Sequence, residues 1–121
     1  DDARLPYGSQ ARFWVEPDRI EEFERLSDAG RAAWAWRRYV LASRAVPERT
    51  IEVRYEEIVA DPDAAAAPVA EFLRVDPEPL ARGFREVHGR SVGRWREQLD
   101  ETQLEDVERE SGDLLAELGY V

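Results

Sequence analysis

Three arginines stand within seven residues near the end of the chain, in the run Arg90-Ser91-Val92-Gly93-Arg94-Trp95-Arg96. Guanidinium groups match phosphate or sulfate oxygens through paired hydrogen bonds, and glycine lets the backbone approach a ligand closely. The spacing therefore predicts an anion-binding loop. An alternative interpretation is that the arginines form surface ion pairs with Glu97, Asp100 and Glu101, each contributing little, and that Trp95 packs under the last helix.

A second segment of interest ends in a tyrosine. Residues 50–55 alternate polar with apolar or aromatic side chains and end at Tyr55, before an acidic turn and Asp61-Pro62. This alternation predicts a β-strand. Ligands in open α/β sheets bind outside the carboxyl ends of strands, where a stacking residue such as Tyr55 would be useful. Alternatively, Tyr55 is a core or edge aromatic residue whose hydroxyl bonds to a neighbour.

Together the two segments resemble the P-loop-type sulfotransferase family, which transfers a sulfuryl group from 3′-phosphoadenosine 5′-phosphosulfate (PAPS). The family's Tyr-Glu-Asp-Leu stretch, its Asp-Pro and its helix ending in Phe-Leu correspond in order and spacing to Tyr55-Glu56-Glu57-Ile58, Asp61-Pro62 and Phe72-Leu73. Its Gly-x-Trp-Arg/Lys segment corresponds to Gly93-Arg94-Trp95-Arg96, and its closing Leu-Gly-Tyr to Leu118-Gly119-Tyr120. The resemblance covers nearly the whole chain.

The resemblance implies an α/β fold of which residues 1–121 form the C-terminal portion. This chain itself is predicted to be mainly α-helical, with one clear β-strand at about 50–55. A single strand cannot satisfy its own backbone donors and acceptors, so it must join a sheet whose other strands are not evident in this sequence. The implied partner is the missing N-terminal half of the same enzyme.

The resemblance also implies contacts to the nucleotide. Tyr55 would contact the adenine of PAPS, and Arg90 is the first choice of ligand for the 3′-phosphate. The full implied set is Tyr55, Arg90, Ser91, Gly93, Arg94 and Arg96. The family's catalytic base and its 5′-phosphosulfate loop would lie in the N-terminal half, so we assign no catalytic residue and no metal here. His88 is interpreted as a loop or partly buried histidine, and this segment alone is expected to be inactive.

Composition restricts the partners. All 17 basic residues are arginine and face 27 acidic residues, for a net charge of -10, which would repel nucleic acid and anionic membranes. With no cysteine and one histidine, the chain has no disulfide framework, thiolate nucleophile or histidine cluster. No apolar run approaches the roughly 20 residues that span a bilayer. We expect a cytoplasmic chain, and the arginine bias suggests bacterial coding.

Local signals predict the elements that must position these residues. Polar N-caps at Ser27, Asp61, Asp76 and Asp100 predict helix starts, and Asp100 forms a capping box with Gln103. We expect the 121 residues to fold as one compact unit. The predicted elements are a loop or short helix at 1–15, helices within 18–45, a strand at 50–55, helices within 62–86, a nucleotide-binding loop at 87–96 and a helix at 100–118.

Other functions remain open at this level. The implied acceptor is a hydroxyl or amine of a small molecule, lipid or carbohydrate, and Tyr7, Phe13 and Trp14 are candidates for the wall of its cleft. One alternative is a stand-alone helical interaction module that docks through its Trp-rich helix. Another is a regulatory domain that binds an anion through the arginines of residues 90–96 and catalyses no reaction. A self-sufficient module would leave segment 50–55 unpaired or replace it with helix.

Overall fold

The computed structural model describes residues 15–120, of which 72% are helical and none forms a β-strand. The mainly α-helical prediction is therefore confirmed. These residues group into two compact units, unit 1 (15–45 and 98–120) and unit 2 (46–97). The predicted loop or short helix at 1–15, with Tyr7, Phe13 and Trp14, lies outside the described residues apart from Val15.

The helices are numbered in chain order. Short 3-10 turns at Pro17–Arg19 and Pro47–Arg49 accompany them. The α-helices are α1 (Ile20–Arg25), α2 (Asp28–Ser43), α3 (Tyr55–Ala60), α4 (Pro62–Leu73), α5 (Pro77–Arg85), α6 (Trp95–Gln98) and α7 (Glu101–Glu117).

Helix starts follow the N-caps that the sequence predicts. The side chains of Ser27, Asp61 and Asp76 accept hydrogen bonds from the first turns of α2, α4 and α5. Asp100 and Gln103 form the predicted capping box at α7, with reciprocal N–H···O distances of 2.9 and 3.0 Å. These predictions are confirmed because a cap needs only residues within one turn of each other.

Unit 1 has a core of large side chains. Val15, Phe23, Leu26 and Trp34 form a buried cluster, and the rings of Phe23 and Trp34 meet edge to face at 5.6 Å. Helices α2 and α7 pack against each other, and Leu114 of α7 is also buried.

A polar contact fixes the start of α2 against α7. The carboxylate of Asp106 accepts a hydrogen bond of 2.9 Å from the backbone N–H of Ser27, and only 8% of Asp106 is exposed. A Cβ added at Gly30 would lie 2.8 Å from the Cβ of Asp106, so only glycine fits here without a shift. The hydroxyl and the N–H of Ser27 lower the pKa of Asp106 below its ordinary value, since both stabilise the charged carboxylate.

Unit 2 has a core of alanines instead. Ala65, Ala66, Ala70 and Ala81 are its buried apolar residues, where α4 packs against α5. Alanine buries little apolar area and permits a close helix approach, but it cannot cover larger neighbours. Phe72 and Leu73 therefore stay 38% and 55% exposed. The sequence predicts one compact unit, whereas the apolar residues divide between this small core and that of unit 1.

The predicted strand at 50–55 is wrong within the described residues. Thr50 and Arg54 have extended backbones, with φ/ψ of -130°/145° and -88°/133°, but residues 51–54 join no β-ladder. Tyr55 begins α3 rather than ending a strand. The alternating pattern gives extended backbone, whereas a strand also requires a partner, and residues 15–120 supply none. Among the helices of those residues, none has the length and apolar character needed to cross a bilayer.

Candidate anion-binding site

Tyr55 is where the two segments singled out by the sequence meet. It is the first residue of α3 and is partly buried, and its hydroxyl donates a hydrogen bond to the backbone carbonyl of His88, 33 residues further along the chain. This partner agrees with the interpretation that the hydroxyl bonds to a neighbour. The contact ties the start of the arginine loop (residues 87–96) to α3.

Gly89 strengthens this attachment. A Cβ added at Gly89 would lie 2.8 Å from Cγ1 of Val59, a residue of α3. A larger side chain would push the loop away from the helix, so glycine permits the close approach. The loop is held at its start by one hydrogen bond and one tight packing contact.

The rest of the loop is stabilised by hydrogen bonds within its own backbone. The N–H groups of Val92, Arg94 and Arg96 donate to the carbonyls of Gly89, Ser91 and Gly93, at 3.1, 3.3 and 3.1 Å. Each bond spans three residues, so the chain makes successive turns and enters α6 at Trp95. The loop therefore presents its side chains from a hydrogen-bonded scaffold.

Gly93 and Arg96 form the most constrained part of the loop. Gly93 has a φ of +72°, in the left-handed region that favours glycine. A Cβ added there would lie 2.8 Å from Nη1 of Arg96, and the guanidinium of Arg96 lies 4.6 Å from the ring centroid of Trp95. Glycine is needed at this position both for the backbone and for the space that Arg96 occupies.

The remaining predicted site residues lie on the same loop. Arg90, Ser91, Arg94 and Arg96 are exposed, and Gly93 is partly buried. Within residues 46–97, neither Arg90 nor Arg96 forms an ion pair, so the alternative in which they pair with Glu97 is not observed. Two positive charges on a constrained loop can bind a phosphate or sulfate dianion through charged hydrogen bonds.

A cleft of about 510 Å³ lies in unit 1 and is a poorer anion site. Trp34 lines it, together with four arginines whose charges are already paired with carboxylates. The pairs are Arg19 with Glu22, Arg37 with Asp113, Arg38 with Glu16 and Arg109 with Asp106. An incoming anion would have to displace a carboxylate, whereas Arg90 and Arg96 have no such competitor within unit 2.

Sequence reasoning found the arginines of the loop but missed the bond from Tyr55 to His88. The side chain of His88 is exposed, and its backbone carbonyl makes the contact. No residue-type signal marks a backbone acceptor so distant in the chain. Within residues 15–120, no group of three or more His, Asp or Glu side chains is placed to hold a metal ion.

We expect Tyr55→Phe to loosen the arginine loop without unfolding unit 2. The change removes one hydroxyl at a partly exposed site, where a hydrogen bond contributes about 0.5–1.5 kcal/mol. The amides of Val92 and Arg94 should then exchange faster with deuterium, as measured by residue-resolved hydrogen exchange. Tyr39→Phe, on a side chain that is 59% exposed in unit 1, is the matched control. Equal exchange in both variants would contradict a role for the Tyr55 hydroxyl.

Comparisons with protein-family models, with curated proteins and with solved structures give no match to this chain.

Proposed function

We propose that this chain is the C-terminal portion of a PAPS-dependent sulfotransferase with a P-loop-type α/β fold. Residues 46–97 would contribute contacts to the adenine and to the 3′-phosphate of the nucleotide. The observation that carries the proposal is the hydrogen bond from Tyr55 to the carbonyl of His88. It joins, within one compact unit, the two segments that resemble the family.

Each loop residue then has a role. Arg90 and Arg96 would bind the 3′-phosphate, because their charges are not neutralised by a carboxylate within unit 2. Ser91, Gly93 and Arg94 would add hydroxyl, backbone and guanidinium contacts. The ring of Tyr55 would contact adenine while its hydroxyl holds the loop. A phosphate monoester carries close to two negative charges at neutral pH, which suits two guanidinium groups.

Sulfuryl transfer is an in-line displacement in which charge builds on the leaving phosphate. Cationic groups that are already in place stabilise that charge and orient the donor. The base and the groups that face the 5′-phosphosulfate would come from the N-terminal half of the enzyme. The present segment would hold the nucleotide, and binding energy at the remote 3′-phosphate would help to orient the reacting end. The acceptor would be a hydroxyl or amine of a small molecule, lipid or carbohydrate.

Changing Arg90 or Arg96 to alanine should weaken binding of adenosine 3′,5′-bisphosphate by about 1–3 kcal/mol, since each loses a charged hydrogen bond to the phosphate. That loss corresponds to about 5- to 150-fold in affinity. The measurement is calorimetric titration of the complete protein. Arg82→Ala removes the same charge from an exposed position on α5 of the same unit and serves as the control.

Adenosine 5′-phosphate, which lacks the 3′-phosphate, makes the test specific. The unchanged protein should prefer the bisphosphate, and both loop variants should lose most of that preference while Arg82→Ala keeps it. If Arg90→Ala and Arg96→Ala bind both nucleotides as the unchanged protein does, the site assignment is wrong.

A second candidate is a non-catalytic anion-binding module. The observation in its favour is that residues 51–54 join no β-ladder within residues 15–120, although the backbones of Thr50 and Arg54 are extended. Hydrogen exchange of the Ile51 and Val53 amides in the complete protein separates the two functions. Slow exchange would indicate a strand paired within a sheet and favour the enzyme. Fast exchange, together with nucleotide binding but no sulfuryl transfer, would favour the module.

Docking through Trp34, one of the two tryptophans of α2, has less support. Trp34 of α2 is only 3% exposed and contacts Phe23, so it is committed to the core of unit 1. A partner could not reach this tryptophan without opening the unit.

A further inference from the structure

We infer that Trp95, together with Gly93, is a positioning residue that holds the guanidinium of Arg96 ready for an anion. The inference rests on the proposed function, in which Arg96 binds the 3′-phosphate of the nucleotide. Neither the implied nucleotide contacts nor the alternatives considered above give Trp95 this role. Trp95 itself would not touch the phosphate and would act through Arg96.

Two neighbours lie close to the guanidinium of Arg96. The guanidinium carbon lies 4.6 Å from the centroid of the Trp95 ring, within the distance at which a cation is attracted to an aromatic face. Nη1 of Arg96 lies only 2.8 Å from the position that a Cβ at residue 93 would take, so a side chain there would clash with it. The indole attracts the guanidinium, and the missing side chain of Gly93 gives it room.

Holding this side chain in advance favours binding. A long exposed arginine loses rotamer freedom when it binds a ligand, and this loss lowers affinity. An arginine that already rests on an indole has lost part of that freedom before the anion arrives. The aromatic face does not neutralise the charge as a carboxylate would, so the guanidinium can still donate to phosphate oxygens.

Two variants of the tryptophan separate positioning from simple packing. Trp95 is 45% exposed, so Trp95→Leu should fold, but it removes the aromatic face. Trp95→Phe keeps an aromatic face and should largely restore the behaviour of the unchanged protein. Leu73→Ala alters an exposed apolar residue of the same unit outside the loop and serves as the control.

The first readout needs no nucleotide. In the NMR spectrum of the full chain with labelled arginine, stacking on an indole should shift the side-chain protons of Arg96 upfield through the ring current. The shift should be present in the unchanged protein and in Leu73→Ala, reduced in Trp95→Phe and absent in Trp95→Leu. A random-coil shift for Arg96 in the unchanged protein would overturn the inference.

The second readout is affinity for adenosine 3′,5′-bisphosphate. Trp95→Leu should bind it about two- to fivefold more weakly, as loss of an exposed cation–π contact implies. Trp95→Phe should recover most of this loss. Unchanged affinity in Trp95→Leu, with binding by the unchanged protein intact, would overturn the positioning role and leave the proposed function standing.

Titration with inorganic phosphate separates failure of the proposed function from failure of the positioning role of Trp95. If the unchanged protein does not bind the nucleotide, the proposed function fails. A phosphate titration followed at the Arg96 side chain then decides the inference by itself. Weaker phosphate binding in Trp95→Leu than in the unchanged protein would support the positioning role, and equal binding would overturn it.

Discussion

Replacing Phe23 with alanine should lower the free energy of unfolding of unit 1 by about 3–5 kcal/mol, the range for deleting a buried phenyl ring. Only 1% of Phe23 is exposed, and its ring meets Trp34 edge to face. The change removes apolar burial and one aromatic pair, and it leaves a cavity beside the indole. The effect is large because the core of unit 1 has few large side chains to share the loss.

Native-state hydrogen exchange measures this result unit by unit. The amides of α2 should lose protection in Phe23→Ala, since that helix packs on the same core. Phe72→Ala is the control, because Phe72 is 38% exposed and belongs to unit 2. If both variants reduced the protection of the α2 amides equally, the special contribution of Phe23 to the stability of unit 1 would be contradicted.

Asp106→Ala is expected to destabilise unit 1 by about 1–3 kcal/mol, the cost of leaving a partly buried donor without its acceptor. The lost acceptor serves the N–H of Ser27, the residue that caps α2. Asp106→Asn should cost less, because its amide oxygen can still accept from that N–H. Urea unfolding at neutral pH compares the two variants, and a greater loss in the asparagine variant would contradict this account.

The contribution of Asp106 should depend on pH. The hydrogen bonds from Ser27 lower the pKa of the carboxyl in the folded state. Its stabilisation is therefore present above the unfolded pKa of about 4 and is lost as pH falls through the lower folded pKa. The stability difference between the unchanged protein and Asp106→Ala should be greatest near neutral pH and shrink below pH about 4. Glu105→Gln, on the exposed face of α7, should show a much smaller difference at every pH.

Helix starts could be predicted from the sequence and the state of segment 50–55 could not, for a single physical reason. The cap of Asp100 by Gln103 lies within one helical turn, so its energy depends only on neighbouring residues. The alternating side chains of residues 50–55 favour an extended backbone, and that backbone is observed at Thr50 and Arg54. Strand pairing depends on a second segment, and its presence cannot be inferred from the alternation itself.

The candidate site likewise combines features set by neighbouring residues with one that depends on the fold. Arg90, Gly93 and Arg96 belong to one short run, so their clustering can be predicted from the sequence, whereas the left-handed backbone of Gly93 is seen only in the structure. The attachment of that run to α3 depends on Tyr55 and the backbone of His88, which are far apart in sequence. Only folding brings them together.

The order of the chain has a consequence for biosynthesis. Unit 1 is built from two stretches, 15–45 and 98–120, whereas unit 2 is one continuous stretch between them. Chains emerge from the ribosome N-terminus first, so α1 and α2 leave it well before α7, which carries Leu114. During that interval, α2 lacks the helix that it packs against, while unit 2 can already fold. Nascent chains that stall after residue 97 should therefore bind chaperones through α1 and α2.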